Sequence, residues 1–399
     1  MVIQSDFIFG VGTSAVQTEE QITNDWSGLR AKDNSIVSNN IEHLKHWQED
    51  YAFLKELGVN AFKTSIDWAR LQQSEHAELE KSVLRQYKRM FRYLKNNGID
   101  IYLTLHHFAN PEWFTKMGGW SNPSSPSIFL DFARKATHEF SEFTNNVITI
   151  NEPSTYISLA YGSGFLPPHG KSFHSLANGF SKVAHNMAFA HRKAYTAIKE
   201  KYGESKMVSF SEVQRPFVPF EYNTLDIIGA GVINYLVNNY IWNIMMTDNC
   251  FADFIGMNYY GPWAFDASDK HNHLKKRPFK DGDALWEIDP VMMITLAQKL
   301  HRKYHLPVII TENGTGTLAD NDDDNLRSRN IRKHLEAIAR SKEDFIKGYF
   351  HWSLLDNFEL DKGFSIKMGL VDVDLKTMKR TPKNSFYDYK KLIMKYKEK

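Results

Sequence analysis

Short apolar runs and helical periods take turns along this chain, and the alternation carries through eight strands. Strand character is read at residues 7–15, 61–67, 100–108, 147–151, 207–211, 251–260, from 307, and 348–356. Between strands, apolar residues recur at steps of three and four. Ile41, Leu44, Trp47, Tyr51, Leu54 and Leu57 form one such series, closed by Gly58; Val83, Tyr87, Met90 and Leu94 form another, closed by Gly98. Further helices are expected over 128–143, over 175–202, within 214–248, from the Asp289-Pro290 start to near His305, over 329–341 and over 385–397. A strand that always feeds a helix must return as a parallel neighbour, and eight such units close a (β/α)8 TIM barrel. Residues 1–399 are therefore expected to form a single barrel domain.

With 42% hydrophobic and 24% charged residues the chain can bury a large core. A net charge of +2 argues against a nucleic-acid surface. Its one cysteine, Cys250, excludes a disulfide framework and a multi-cysteine metal site. Residues 1–6 hold no basic segment followed by an apolar run, so a cytoplasmic location is expected. The apolar stretch 227–246 is interrupted at helical spacing by Asn234, Asn238, Asn239 and Asn243; it reads as an amphipathic helix, not a membrane span. Asp320 to Asp324 has the first ligands of a calcium loop but lacks its glycine and its final glutamate, so a solvated loop without metal is expected. Gly10-Val11-Gly12-Thr13-Ser14-Ala15 matches the dinucleotide fingerprint in form. A polar, helix-poor stretch follows it where the fingerprint would open a helix, so no nicotinamide cofactor is expected.

In a barrel of parallel strands, chemistry gathers at the C-terminal strand ends. Val147-Ile148-Thr149-Ile150-Asn151-Glu152-Pro153 is a strand that proline stops just after a carboxylate. Pro307-Val308-Ile309-Ile310-Thr311-Glu312-Asn313-Gly314 has the same form. Two glutamates at the ends of strands four and seven are what cleavage of a glycosidic bond requires. The other polar strand-end residues are Gln17, Lys63, His107, Asn151, Asn258, Tyr260, Trp352 and, just beyond strand eight, Glu359. The adjacent His106 and His107 face opposite ways on a strand, which argues against a shared metal.

These residues carry a resemblance to the family 1 glycoside hydrolases over nearly the whole chain. Phe9 to Gln17 resembles that family's N-terminal signature, and Thr104-Leu105-His106-His107-Phe108 its third-strand motif. Thr149-Ile150-Asn151-Glu152-Pro153 resembles its acid/base motif, Asp253 to Tyr260 its sixth strand, Ile310-Thr311-Glu312-Asn313-Gly314 its nucleophile motif, and Gly348 to Glu359 its C-terminal signature. The resemblance implies a retaining β-glycosidase acting on small β-glucosides or β-galactosides, with Glu312 as nucleophile and Glu152 as general acid/base. It implies that Tyr260 and Lys63 support the nucleophile. It further implies that Asn151 binds the sugar 2-hydroxyl, that Gln17, His107, Asn258 and Glu359 serve the sugar, and that Trp352 floors it. No cofactor is implied. The partner is a small-molecule β-glycoside; neither nucleic acid nor membrane is expected, and the oligomeric state is left open.

Departures from the family pattern bear on specificity. Lys63 stands where an arginine is usual, Leu360 and Phe108 where tryptophans are, and the segments after Gln17 and between Gln214 and Asp248 are short. A 6-phospho-β-glycosidase would carry a serine at the position of Glu359 and a basic residue at that of Ile366, so unphosphorylated sugars are favoured. A catalytically silent sugar-binding barrel is the remaining alternative; the presence of both glutamates speaks against it.

Overall fold

Eight parallel strands close into a barrel: β1 (Ile8–Gly12), β2 (Ala61–Ser65), β3 (Asp100–His106), β4 (Asn146–Asn151), β5 (Met207–Val213), β6 (Ile255–Tyr259), β7 (Val308–Asn313) and β8 (Ile346–Trp352). Each pairs with its neighbours in sequence, and β8 closes on β1. The computed structural model describes residues 3–20, 23–38, 40–170, 180–247, 250–269, 274–275 and 286–397. The outer layer includes α1 (His43–Leu57), α2 (Lys81–Asn96), α3 (Ser125–Phe140), α4 (Ser181–Tyr202), α5 (Thr224–Tyr235), α6 (Pro290–Tyr304), α7 (Asp324–Ser341) and α8 (Asn384–Lys397). The Asp289 carboxylate caps α6 by accepting from the Met292 amide at 2.9 Å, as the Asp-Pro start predicts. The expected start of α4 at residue 175 lies outside the described residues.

Strand alternation sorts side chains between two cores. One set packs outward against the helices. The other fills the barrel floor with Ala61, Tyr102, Ile148, Phe254, Ile309 and Phe350. Gly10 belongs to this floor: a Cβ there would lie 2.3 Å from the Phe350 ring, and one on Gly12 would lie 3.0 Å from the Trp352 indole. The glycine pair is thus spacing for two aromatic rings, which explains the fingerprint's form without a nucleotide.

Three local readings need correction. The first strand stops at Gly12, and Ala15–Thr18 makes a helical turn where a helix-poor stretch was expected. The acidic loop is not simply solvated: Asp322 and Asp324 accept from the Arg327 guanidinium at 2.7 and 2.6 Å, and Asp323 caps α7. The asparagine-striped helix continues from α5 through a wider turn at Leu236–Tyr240 into Ile241–Met246, and over α5 its polarity is inverted. Asn234 and Asn238 face inward and bond the chain around Arg215 and Phe217, while Leu225, Ile228 and Val232 are 68%, 58% and 53% exposed. Backbone groups in the loop after β5 need partners, and amides supply them where apolar side chains cannot. Among the described residues, no helix is long and apolar enough to cross a membrane.

Candidate active site

β4 delivers Glu152 in an unusual backbone state. Its φ is 44°, a left-handed conformation that costs a β-branched or long side chain energy and clusters at functional sites. Pro153 cannot extend the ladder and instead opens the turn Pro153–Ile157. The Glu152 amide donates to the Ser211 carbonyl at 2.7 Å, which ties the turn to β5. On β7 the register with β6 slips between Ile310 and Glu312, and a slip also occurs on β4 between Ile148 and Asn151 in its pairing with β5. Such irregularities re-aim side chains at a barrel rim. Glu152 and Glu312 line one cavity and are 6% and 4% exposed.

The two carboxyls sit in different company. Glu312 Oε1 accepts from Lys63 Nζ at 2.5 Å and Oε2 from Tyr260 Oη at 2.6 Å. Both carboxyl oxygens are thus held by donors, one of them an ammonium. Glu152 accepts from Asn258 Nδ2 at 2.8 Å. Burial raises its pKa first, and the negative charge of Glu312 adds to the rise; hydrogen bonds from Asn258 and Thr155 and the Arg215 charge oppose it. The Asn258 amide is oriented by Thr311, whose hydroxyl donates to Oδ1 at 2.7 Å. Lys63 also donates to Asn151 Oδ1 at 2.8 Å, so one network of Lys63, Asn151 and Asn258 connects both glutamates.

His107, Trp352, Gln17 and Glu359 form the opposite wall. His107 lies against Trp352 with ring centroids 5.7 Å apart at 25°. Burial and the Lys63 charge hold the imidazole pKa well below its usual value, so it stays neutral and can both donate and accept. Its neighbour His106 turns away to Asn110 and Trp120, as strand alternation requires. Gln17 stands on the Ala15–Thr18 turn; its Oε1 accepts from Ser14 Oγ at 2.6 Å and its Nε2 lies 3.3 Å from Glu359 Oε2. Burial, then Glu312, pushes Glu359 up to about 8, partly offset by the Trp352 side chain.

All the residues singled out in the sequence therefore meet at one rim, in two layers. Gln17, His107, Glu152, Tyr260, Glu312, Trp352 and Glu359 face the cavity. Lys63, Asn151 and Asn258 are 0%, 1% and 0% exposed and lie behind, with their polar atoms bonded to the glutamates, to His107 and to one another. Leu360 and Phe108 line the cavity at the two positions marked as departures.

Sequence reasoning missed the contribution of β5. Glu212 is fully buried, and its carboxyl accepts from Ser154 Oγ at 2.5 Å, Val213 N at 2.7 Å and Ser154 N at 3.1 Å. It thereby clamps the turn that starts at Glu152, and burial pushes its pKa up to about 8. Arg215, two residues beyond the strand, reaches the cavity beside Thr155. The available signal was a gap: every strand but the fifth had supplied a polar strand-end residue. Among the described residues no group of three or more His, Cys, Asp or Glu is arranged to hold a metal.

The sequence profile of Glycosyl hydrolase family 1 matches residues 2–247 and 243–398. The chain is similar to the crystal structure of a family 1 β-glucosidase from Exiguobacterium antarcticum, with a TM-score of 0.89 and 26% identity over 100% of this chain and 99% of that one. A 6-phospho-β-galactosidase of Leptotrichia buccalis is 28% identical over 98% of both chains; the alignment runs over 466 positions against 399 residues here, so that relative carries segments this chain lacks. A galactolipid galactosyltransferase of Arabidopsis thaliana is 27% identical over 88% of this chain, which spans 58% of that relative's length. A closed parallel barrel, two rim glutamates and a profile match over both halves lead to one assignment: the chain belongs to glycosyl hydrolase family 1 and is a glycoside hydrolase.

Proposed function

We propose that the chain is a retaining β-glycosidase acting on small, unphosphorylated β-glucosides and β-galactosides. The observation that carries this reading is the asymmetry of the two glutamates. Glu312 is bonded on both oxygens to Lys63 and Tyr260, while Glu152 is buried and inclined to hold a proton. In the first step Glu312 attacks the anomeric carbon as Glu152 protonates the departing oxygen, leaving a glycosyl ester on Glu312. Glu152, now a carboxylate, takes a proton from water, and the resulting attack releases the sugar with retained configuration. Gln17, His107 and Glu359 hold the sugar hydroxyls, with Trp352 beneath the ring. Asn151 and Asn258 act through the network behind the glutamates, and the 2-hydroxyl meets Asn151 once the sugar draws it forward.

Glu359 supports the choice of an unphosphorylated sugar, because its side chain fills the wall position where a phosphoglycosidase would carry a serine and offers a phosphate no positive charge. Lys367 is paired with Asp372 and does not line the cavity, so it offers no free cation in place of the missing basic residue at Ile366. The test is a screen of chromogenic aryl β-D-glucoside, galactoside, fucoside, mannoside, xyloside and glucoside 6-phosphate. The reading requires turnover of the neutral sugars and its loss in Glu312→Ala, with azide restoring an inverted product. Turnover confined to the 6-phosphate would transfer the chain to the phosphoglycosidases, and no turnover of any would leave a silent barrel.

A further inference from the structure

We propose that Arg215 recognises an anionic group on the leaving half of the substrate, making this a glycosidase for β-glycosides whose aglycone carries a carboxylate. The inference rests on the glycosidase reading above and adds the class of aglycone.

Position comes first. In the barrel order β5 stands four strands from β1 in either direction, so the loop bearing Arg215 faces the one bearing Gln17 across the mouth. Glu359 follows β8, the neighbour of β1. A sugar held by Gln17 and Glu359, with its anomeric carbon at Glu312, sends its leaving oxygen toward Glu152 on β4. The aglycone beyond that oxygen then meets what β4 and β5 supply, and in the cavity wall those residues are Thr155 and Arg215.

Charge comes second. The buried arginines Arg70, Arg327 and Arg380 are each paired with a carboxylate, at 2.6, 2.6 and 3.0 Å respectively. Arg215 has no ion pair or side-chain hydrogen bond among the described residues, and its Nε is buried without a partner. The charges that act on it at longer range are Glu152, Tyr260 and Glu212. Of these, Glu152 must be protonated to start the reaction, and Glu212 and Tyr260 hold their protons at neutral pH. The guanidinium, partly open to the cavity, is therefore left without a counter-charge in the Michaelis state, and an anion on the ligand would supply one.

Preorganisation comes third. Asn238 grips the Arg215 backbone from both sides, accepting from its N–H at 2.7 Å and donating to its carbonyl at 2.6 Å. The guanidinium lies over the Trp263 ring, 5.1 Å from its centroid. A planar fork fixed on an aromatic face presents its remaining N–H groups in the geometry that a carboxylate takes.

The test compares 4-carboxyphenyl and 4-carbamoylphenyl β-glycosides of the best sugar found in the screen. The two aglycones are nearly isosteric, and the neutral amide is the better leaving group, so chemistry alone would favour it. Wild type is expected to prefer the carboxylate by about tenfold in kcat/KM, mainly through KM, and to lose that preference as salt is raised. Arg215→Gln should bring the ratio to the amide's side, and Arg215→Lys should keep part of the preference. A wild-type ratio at or below one overturns the proposal. So does an Arg215→Gln enzyme that retains the preference, or one whose pH profile shifts equally for both substrates, since the guanidinium would then serve Glu152 instead. If Arg215→Gln does not fold, the wild-type salt dependence and Arg215→Lys decide. Turnover of neither substrate by wild type sinks the glycosidase reading itself, and this inference with it.

Discussion

Replacing Lys63 by methionine tests whether an ammonium, and not strand geometry alone, holds the nucleophile. The Lys63 and Glu312 side chains are 1% and 5% exposed and meet at 2.5 Å. At that separation and an effective dielectric constant near 20, Coulomb's law gives roughly 6–7 kcal/mol of attraction. Desolvating both ions consumes part of it, and removing one partner of such a pair costs about 3–5 kcal/mol because the other charge stays buried. Methionine keeps the stem and loses the charge, so Glu312 retains Tyr260 while Asn151 loses a donor. The assay is a double-mutant cycle of Lys63→Met and Glu312→Gln, followed by urea denaturation at neutral pH. The expected coupling is about 3–5 kcal/mol, and a coupling below about 1 kcal/mol, the size of an exposed pair, would refute the reasoning. In activity, Lys63→Met should lose at least about a hundredfold in kcat/KM, while Lys63→Arg, which restores charge and adds a fork, stays within about tenfold. A fully active Lys63→Met enzyme would show that the ammonium is dispensable.

The remaining expectations address the acid, the buried carboxyls and the rim. Glu152→Ala should hurt alkyl glycosides far more than activated aryl glycosides, by about a hundredfold or more, because a phenolate needs little protonation; equal losses on both would contradict the acid role. Glu212 and Glu359 have pKa values raised from 4.5 to about 8 by burial. A carboxyl that binds its proton more tightly when folded contributes stability that is complete below its unfolded pKa and is lost as pH rises through its folded one. The urea midpoint should therefore fall between about pH 5 and about pH 8.5, and fall less in Glu212→Gln; identical pH slopes would contradict the assignment. Leu360 and Phe108 line the cavity where the family more usually carries the larger tryptophan; a more open rim is expected from this, so several β-aryl sugars should be turned over with kcat/KM values within about tenfold of one another, and Leu360→Trp should narrow that range. Strict use of a single sugar by the wild type would refute the open rim.

What could be read in the sequence followed from periodicity and strand ends. Alternation of strands and helices suffices for a barrel because parallel strands leave few other closures, and a proline after Glu152 marks a strand end without any coordinates. Layering was not legible. Asn151, Asn258 and Lys63 sit at strand ends like the residues that face the cavity; register slips lie beside Asn151 on β4 and beside Asn258 where β7 pairs with β6, and no pattern of residue types announces them. The inverted face of α5 was hidden for a similar reason. An asparagine stripe normally marks the wet side of a helix, but here those amides satisfy the backbone of the loop after β5. That loop also concealed Arg215, since the fifth strand was expected to end at Ser211 and ends at Val213. The misplaced end has a physical origin. A glutamate in an apolar run reads as a charge and hence as a strand boundary, yet Glu212, with its pKa at about 8, holds its proton at neutral pH. A neutral carboxyl that accepts two backbone amides fits the interior of a sheet, so the strand continues through it.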